Sequence, residues 1–314
     1  MNWLYNLNIM PQGYGHVFST NPLDRGEKER RTPEDIAVRI GDAGSRFLLL
    51  KNSEVLISNN PTSKLAWLGI NKIRELQINI TPIFLGILND SYHYALSVSD
   101  QIDSKVSSIG LEFIHIRDAG ALLELEESAI AGYASMQMNW HHRHKFCPSC
   151  GSPTTMKRAG QVRKCTDCTV EHFPRTDPVI IVIVHDGEKC LLGQSRGRLQ
   201  NTNTYSALAG FVDQGESIEE AVAREVMEEA GISVKNVTYH SSQPWPLPYS
   251  LMIGCHAEAA STEINMDPEE MTDVKWFTRE EVIRSLEGKS DILKVPMKIA
   301  IAHHLLKDWA YNNI

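Results

Sequence analysis

Between Gly210 and Ile232 the chain crowds Glu216, Arg224, Glu225, Glu228 and Glu229 into one short stretch. Ser217, followed three residues on by Glu220, forms a capping box that starts a helix, and Gly231 suits the position just past its end. At 3.6 residues per turn, Ile218, Ala221, Val222 and Val226 make one apolar stripe. Glu225 and Glu229 lie about 40° apart on that wheel, straddling Ile218, so they fall on the buried side. Glu228 flanks them, one turn on from Glu225. Like charges beside apolar surface are costly unless a cation neutralises them. Oxygen ligands without a histidine nearby favour Mg2+ or Mn2+ over zinc. The alternative is a solvated acidic face paired with Arg224; it leaves Gly210, Glu216 and the wheel positions unexplained.

A second ligand set is made of thiols. Cys147-Pro-Ser-Cys150 and Cys165-Thr-Asp-Cys168 are two C-x2-C knuckles with fourteen residues between them. That spacing points to a tetrahedral, closed and structural zinc site with four thiolate ligands, stabilising a module with little core of its own. A redox dithiol is the rival reading, but it needs only one pair. Cys190 and Cys255 lie in apolar surroundings and read as inert core residues. His141, His142 and His144 precede a shell that is already complete, so they read as surface or packing residues.

Beyond the acidic helix comes Ser242-Gln-Pro-Trp-Pro-Leu-Pro-Tyr-Ser250. Three prolines hold an extended, low-entropy segment. Gln243 and the serines offer hydrogen bonds, and Trp245 offers a large aromatic surface. The segment reads either as a wall of a nucleotide pocket or as a rigid connection with Trp245 in the core.

The pattern G-x5-E-x7-R-E-U-x-E-E-x-G-U, with U aliphatic, is met at Gly210, Glu216, Arg224, Glu225, Val226, Glu228, Glu229, Gly231 and Ile232. The chain thereby resembles the Nudix hydrolases, which cleave pyrophosphates linked to nucleosides with the help of divalent metal. Ser242 to Ser250 resembles SQPWPxPxS, the signature of the NADH pyrophosphatase branch. The four-cysteine module and His172-Phe173-Pro174-Arg175 belong to the same branch. The resemblance runs from Phe146 to Trp276 and more loosely from Met297 to Trp309.

The reaction implied by this resemblance is hydrolysis of the pyrophosphate of NADH or NAD+ to nicotinamide mononucleotide, reduced or oxidised, and AMP. The same chemistry removes an NAD cap from the 5′ end of RNA. The resemblance also implies that Mg2+ or Mn2+ is held by Glu225, Glu229, the Ala209 carbonyl and Glu270. It makes Glu270 or Glu228 the general base, while Arg224 and Glu216 complete the box, Arg224 orienting the carboxylates. In this branch Phe173 and Phe211 would clamp the nicotinamide ring from different subunits, so a homodimer is implied. Gln243, Pro244, Trp245, Pro246, Leu247, Pro248, Tyr249 and Ser250 would line the adenosine and phosphate pocket. Ala300 would supply a backbone contact in the closing helix, and Arg117 an N-terminal contact. The chain departs from the branch at Leu247, usually Phe, at Tyr249, often Gln, and at Phe173, often Tyr. The Leu247 change bears on base stacking and so on the preferred dinucleotide. Other readings are a Nudix pyrophosphatase for ADP-ribose or another nucleoside diphosphate derivative, and a non-catalytic nucleotide sensor. A sensor is expected to lose box glutamates, and none is lost here.

The elements around these residues come from length and patterning. At 314 residues two domains are favoured over one. A hydrophobic content of 42% and charged content of 22% suit a soluble globular protein. The net charge of −8 argues against broad nucleic-acid binding. A local basic patch at Arg158, Arg163 and Lys164 would suffice for an RNA end. Met1 to Asn6 lack the basic and long apolar regions of a signal peptide, and the longest aliphatic run, Val179 to Val184, is too short to span a bilayer, so neither a signal peptide nor a membrane is expected. Tyr311 to Ile314 is not a peroxisomal address, and a cytoplasmic location is expected. Three parts are expected: a mixed α/β domain at 1–125, a helix plus four-cysteine ribbon at 126–175, and a Nudix domain at 176–314. The fold class is α/β (α+β): a Nudix α/β/α sandwich, a central zinc ribbon and a small mixed N-terminal domain. Strands are expected at 46–51, 54–58, 82–89, 92–98, 179–185, 189–194, 237–240 and 251–258, and helices at 119–144 and 295–310.

Overall fold

The computed structural model of the chain describes residues 15–197, 199–200 and 202–312. Met1 to Tyr14 and the last two residues lie outside them, and with them part of the terminal segments on which the targeting expectations rest. The contacts divide the chain into two compact units. The first takes Val17–Thr176 and Pro244–Tyr249; the second takes residues 15–16, Asp177–Gln243 and 250–312.

In the first unit, α1 (Pro33–Arg39) precedes the hairpin β1 (Arg46–Lys51) and β2 (Glu54–Ser58), with β3 (Lys64–Leu65) beside β2. Then come α2 (Ile70–Glu75), β4 (Ile83–Leu88), β5 (Ser91–Ser97), α3 (Asp103–Ser107), β6 (Leu111–His115), α4 (Ile116–Leu122) and α5 (Leu125–Arg143). β1 runs parallel to β5, and β6 pairs antiparallel with β2. Phe47, Leu49, Leu56, Phe84, Tyr94 and Leu96 fill one core on this sheet. A small sheet of β7 (Thr154–Lys157), β8 (Val162–Cys165) and β9 (Glu171–His172) carries the cysteine knuckles.

The single helix expected over 119–144 is two. Leu123 and Glu124 are extended, with ψ of 153° and 156°. The break turns Leu123 into the core, whereas Leu122 and Leu125 on either side of it are exposed. α5 buries five residues in succession, Ser128 to Gly132, after a mostly exposed first turn, so periodicity marked its existence and not its start.

The second unit holds β10 (Asp177–His185), β11 (Lys189–Ser195), β12 (Leu208–Phe211), α6 (Ile218–Ala230), β13 (Val234–Trp245), β14 (Ser250–Ala259), β15 (Met271–Thr278), α7 (Arg279–Leu286) and α8 (Ile301–Asn312). The apolar run of β10 is explained by burial on both faces, as in a strand covered by helices on either side. Ile181 and Ile183 join Leu305, Leu306 and Trp309 of α8 in one core. Ile180, Val182 and Val184 join Ala221, Val222 and Val226 of α6 in the other. This is the α/β/α sandwich that the sequence implied.

The two sheets share one connectivity. β10 runs parallel to β14 and is hairpinned to β11, and β15 pairs antiparallel with β11. β1, β5, β2 and β6 repeat that scheme in order. The closing helix begins at Ile301 and not near Val295. Pro296 interrupts the expected start, and Val295 instead donates its N–H to Ser285 Oγ (3.1 Å).

Candidate active site

α6 starts as its sequence dictates. The Ser217 hydroxyl accepts from Glu220 N–H and the Glu220 carboxylate from Ser217 N–H, while Gly231 ends the helix in the left-handed region (φ 68°). Ala221, Val222 and Val226 are buried, and Glu225 and Glu229 are carried to the same side, each with only 8% exposure.

Arg224 organises the acids. Nε donates to Glu216 Oε1 (2.6 Å) and Nη2 to Glu216 Oε2 (2.8 Å). Nη1 donates to Glu225 Oε1 and Glu228 Oε2, both at 2.9 Å, and Nη2 donates to the Phe211 carbonyl (2.9 Å). All five guanidinium N–H groups are thereby spent. The Glu216 carboxyl, bonded by Arg224 and by Asp213 N–H, is held down to about 2. Arg224 is held well above its ordinary value by Glu216 first, then by Glu225 and Glu228.

Glu229 receives nothing from Arg224. Burial, then the charge of Glu225, pushes its carboxyl up to about 8, opposed by a hydrogen bond from the Ala209 backbone. Its Oε2 is buried without a hydrogen-bond partner. Burial likewise raises Glu225, with Glu228 and Glu270 adding to it. Glu270 therefore acts on both inward carboxylates, although the sequence places it far from them. It sits on a turn in which Glu269 N–H donates to Asp267 Oδ1 (2.7 Å).

Gly210 closes the cradle from β12. A Cβ there would stand 2.0 Å from the Glu225 carboxyl carbon, so the Glu225 carboxyl can rest against this strand only at glycine. A buried carboxyl oxygen without a partner, a second carboxylate beside it and a backbone strand edge are a donor set for a hard divalent cation.

No sequence signal marks Arg196. Its N–H donates to the Glu270 carbonyl (2.9 Å) and its Nε to the Pro268 carbonyl (2.7 Å), tying down the turn that carries Glu270. An arginine just past a strand has no distinctive spacing, so only the fold reveals it.

The 242–250 segment divides its work. Gln243 is fully buried; its Nε2 donates to the Ile299 carbonyl (2.7 Å) and its Oε1 accepts from Ile301 N–H (2.8 Å). It thus clasps Ala300 from both sides and serves the first turn of α8. Ser250 is buried at the start of β14. Pro246 to Tyr249 form a turn, with Leu247 and Pro248 half-buried. Within the first unit the Arg117 guanidinium stands 5.4 Å from the Trp245 ring, next to Phe18. Tyr249 is buried with Arg143 and Arg175 over its ring at 5.9 and 5.5 Å. Pro244 is half-buried. Phe173 and Phe211 are 58% and 59% exposed.

Among the described residues, one group of three or more Cys, His, Asp or Glu side chains is gathered closely enough to share an ion. It is Cys147, Cys150, Cys165 and Cys168, with every Sγ within 4.8 Å of the others. Cys150 Sγ lies 3.4 and 3.5 Å from those of Cys165 and Cys168, and Cys147 Sγ 3.7 Å from that of Cys168. Four thiolates about 2.3 Å from one zinc, at tetrahedral angles, are about 3.8 Å apart. His141 is a packing residue: its Nε2 bonds the Gly160 carbonyl (2.7 Å) and its Nδ1 faces Arg163 (3.0 Å), and burial lowers it to about 4. Cys190 and Cys255 are buried core residues whose thiols are pushed up by burial.

The family description NUDIX domain matches residues 174–296. NADH pyrophosphatase zinc ribbon domain matches 142–173, and NADH pyrophosphatase-like rudimentary NUDIX domain matches 44–140. The last accounts for the repeated connectivity. NAD(P)H pyrophosphatase NUDT13, mitochondrial, of Mus musculus is 40% identical over 317 residues, covering 97% of this chain and 82% of that protein. NAD-capped RNA hydrolase NUDT12 of Homo sapiens is 35% identical over 340 residues, covering 94% and 73%. NAD-capped RNA hydrolase NudC of Pseudomonas putida is 44% identical over 149 residues, covering 48% and 53%. With its box, its four-cysteine ribbon and relatives matched over most of their length, this chain belongs to the Nudix hydrolases, in their NADH pyrophosphatase branch.

Proposed function

We propose that this enzyme hydrolyses the pyrophosphate of NADH and NAD+ to nicotinamide mononucleotide and AMP, and removes NAD caps from RNA. The names of the full-length relatives support the substrate class. The observation that carries the site is Glu229: buried, raised to about 8 and with an oxygen left unpartnered.

Glu225, Glu229 and the Ala209 carbonyl would hold Mg2+ or Mn2+, with Glu270 as a further ligand or as general base. In an antiparallel ladder a residue's N–H and C=O face the same side. The Ala209 backbone bond to Glu229 therefore supports a carbonyl turned toward the carboxylates. Bound metal offsets the charge of the two phosphates, lowers the pKa of water and stabilises the leaving phosphate. Glu228 is tied to Arg224, which favours Glu270 for taking the proton from water. Arg224 and Glu216 fix the carboxylates and touch no substrate. Zinc on the four cysteines is structural.

Phe211, with Phe173 of the partner subunit, would clamp the nicotinamide ring, and the exposure of both rings supports this. Arg117, Trp245, Pro246, Leu247, Pro248, Tyr249 and Ser250, with Pro244, would line the adenosine and phosphate pocket. Gln243 would act there by holding Ala300. Three functional segments, 1–125, 126–175 and 176–314, a homodimer and a cytoplasmic location are part of the same proposal. Among the described residues no helix is long and apolar enough to cross a membrane.

Product analysis tests the reading. Zinc-loaded protein, NADH and Mg2+ or Mn2+ should yield AMP and reduced nicotinamide mononucleotide, and Glu229→Gln should abolish both. No cleavage by folded protein under either metal would refute it, and faster cleavage of ADP-ribose would reassign the substrate.

A further inference from the structure

The first unit contains a cleft of about 480 Å³ lined by Glu27, Arg30, Arg31, Arg158, Gln161 and Phe173. That volume is within the range of small-ligand sites. Three arginines face one acid in it, on a chain whose net charge is −8. Glu27 draws Arg30 and Arg31 together, with contacts of 3.1 and 3.2 Å. A guanidinium has five donors, so one shared carboxylate leaves donors on both. Arg158 is more than half exposed, and its ion-pair contact with Glu171 is long, at 4.0 Å.

The position of Arg158 is built and not incidental. It caps the β7–β8 hairpin, where Arg158, Ala159 and Gly160 have φ of 48°, 53° and 97°. Two side-chain-bearing residues in succession seldom adopt this region, and such backbone persists only where its surroundings impose it. Here they do. A Cβ on Gly160 would stand 2.9 Å from Ile83, and the Gly160 carbonyl accepts from buried His141. Gln161 Nε2 donates to the Phe84 carbonyl (3.3 Å) and to the Tyr133 hydroxyl (3.2 Å). Arg158 is therefore presented on a fixed tip, which lowers the entropy lost on binding.

Of the patch expected at Arg158, Arg163 and Lys164, Arg163 is taken up elsewhere. Arg163 spends its guanidinium on Thr154 Oγ1 (2.7 Å), the Thr154 carbonyl (2.8 Å) and His141. Arg158 finds its companions in Arg30 and Arg31 instead, from a distant part of the sequence. Forked donors converging on one cleft match a phosphate group.

We propose that this cleft binds a nucleotide phosphate of the RNA chain that follows an NAD cap, with Arg30, Arg31 and Arg158 as its donors. The assignment rests on the capped-RNA part of the proposed function. A free mononucleotide carries the same chemistry, so the test separates the two. Binding of a 5′-hydroxyl RNA hexamer and of AMP is measured by calorimetry on the zinc-loaded full chain, across a salt series. Turnover of NADH and of NAD-capped RNA is measured in parallel.

Arg158→Ala and Arg30→Ala are each expected to weaken the hexamer about fivefold. Each should also reduce the slope of log affinity against log salt by about 0.7, the value per phosphate contact for single strands. KM for capped RNA should rise by the same factor, with NADH turnover unchanged. Arg158→Glu, at an exposed tip, should weaken it further while retaining the wild-type melting temperature. AMP binding that depends on the arginines, without hexamer binding, would assign the cleft to a free nucleotide and overturn the RNA assignment. If neither ligand depends on the arginines, the site itself is refuted. Loss of NADH cleavage by the wild type would refute the proposed activity while leaving the binding result readable.

Discussion

Gly210→Ala separates the geometry of the metal cradle from the stability of the fold. The new Cβ would lie 2.0 Å from Cδ and Oε1 of Glu225 and 2.2 Å from Oε2. Ordinary contact between such atoms begins near 3.5 Å, so the carboxyl must retreat by about 1.5 Å. It is the far end of a flexible side chain, and the helix need not move with it. The retreat nevertheless breaks the Arg224 Nη1 contact to Glu225 and displaces a proposed metal ligand. A misplacement of about 1 Å at a reacting centre costs on the order of a hundredfold, or about 2.7 kcal/mol of barrier. We expect kcat/KM for NADH to fall about a hundredfold and the Mn2+ concentration for half-maximal rate to rise, with a melting temperature within a few degrees of wild type. Steady-state kinetics over a Mn2+ series and a thermal melt read all three. A variant within about threefold of wild type, with unchanged metal dependence, would refute the cradle. A collapse in melting temperature would show that the glycine serves packing instead.

Other contacts set three further outcomes. The raised Glu229 carboxyl keeps its proton in the folded state after the unfolded chain has lost its own, near 4.5. Its contribution is therefore complete below pH 4.5 and is lost as pH rises toward about 8. At about 1.4 kcal/mol per pH unit this is at most about 5 kcal/mol, and Glu229→Gln should flatten the decline in melts of zinc-loaded protein without Mg2+ or Mn2+. An identical pH dependence in the two proteins would contradict the burial argument. Cys165→Ser should lower zinc below one per chain and open residues 145–172 to trypsin, because ligand binding and folding of such a module are one event. Arg196→Ala should cost about tenfold in kcat/KM, but nothing further in a Glu270→Gln background, since it acts by holding Glu270. Additive losses would make Arg196 structural only.

The box helix and the ribbon were legible because their chemistry is local. Ser217, Glu220 and Gly231 set the limits of α6, and a 3.6-residue period turns Glu225 and Glu229 inward whatever lies opposite. Two knuckles define four thiolates in the same way. What lay across the fold was not legible. The expected strands of the first unit are present, but their shared connectivity with the second depends on which strands pair, and no residue advertises that. The break at Leu123 and Glu124 has no Gly or Pro to announce it. Gln243 read as a pocket residue from its segment, whereas its amide is taken up by Ile299 and Ile301, far along the chain.

The repeated topology also explains why one unit is proposed to hold the chemistry. In the second unit a thirteen-residue helix follows β12, long enough for two inward carboxylates a turn apart and an arginine that neutralises the rest. Arg224 serves Glu216, Glu225 and Glu228 and has no donor left for Glu229. The remaining charge must be met by a proton or by a cation. In the first unit α2 has six residues, and its one acid, Glu75, is an exposed partner of Lys72. Arg224, Glu225 and Glu229 themselves span six residues, so composition and not length separates the two helices: α2 has no carboxylate four residues before Glu75 and buries Ile70 and Ile73 instead. The first unit keeps the sheet and lacks the means to hold uncompensated charge. At the proposed metal site, affinity would thus be set by where Arg224 runs out of donors as much as by the glutamates themselves.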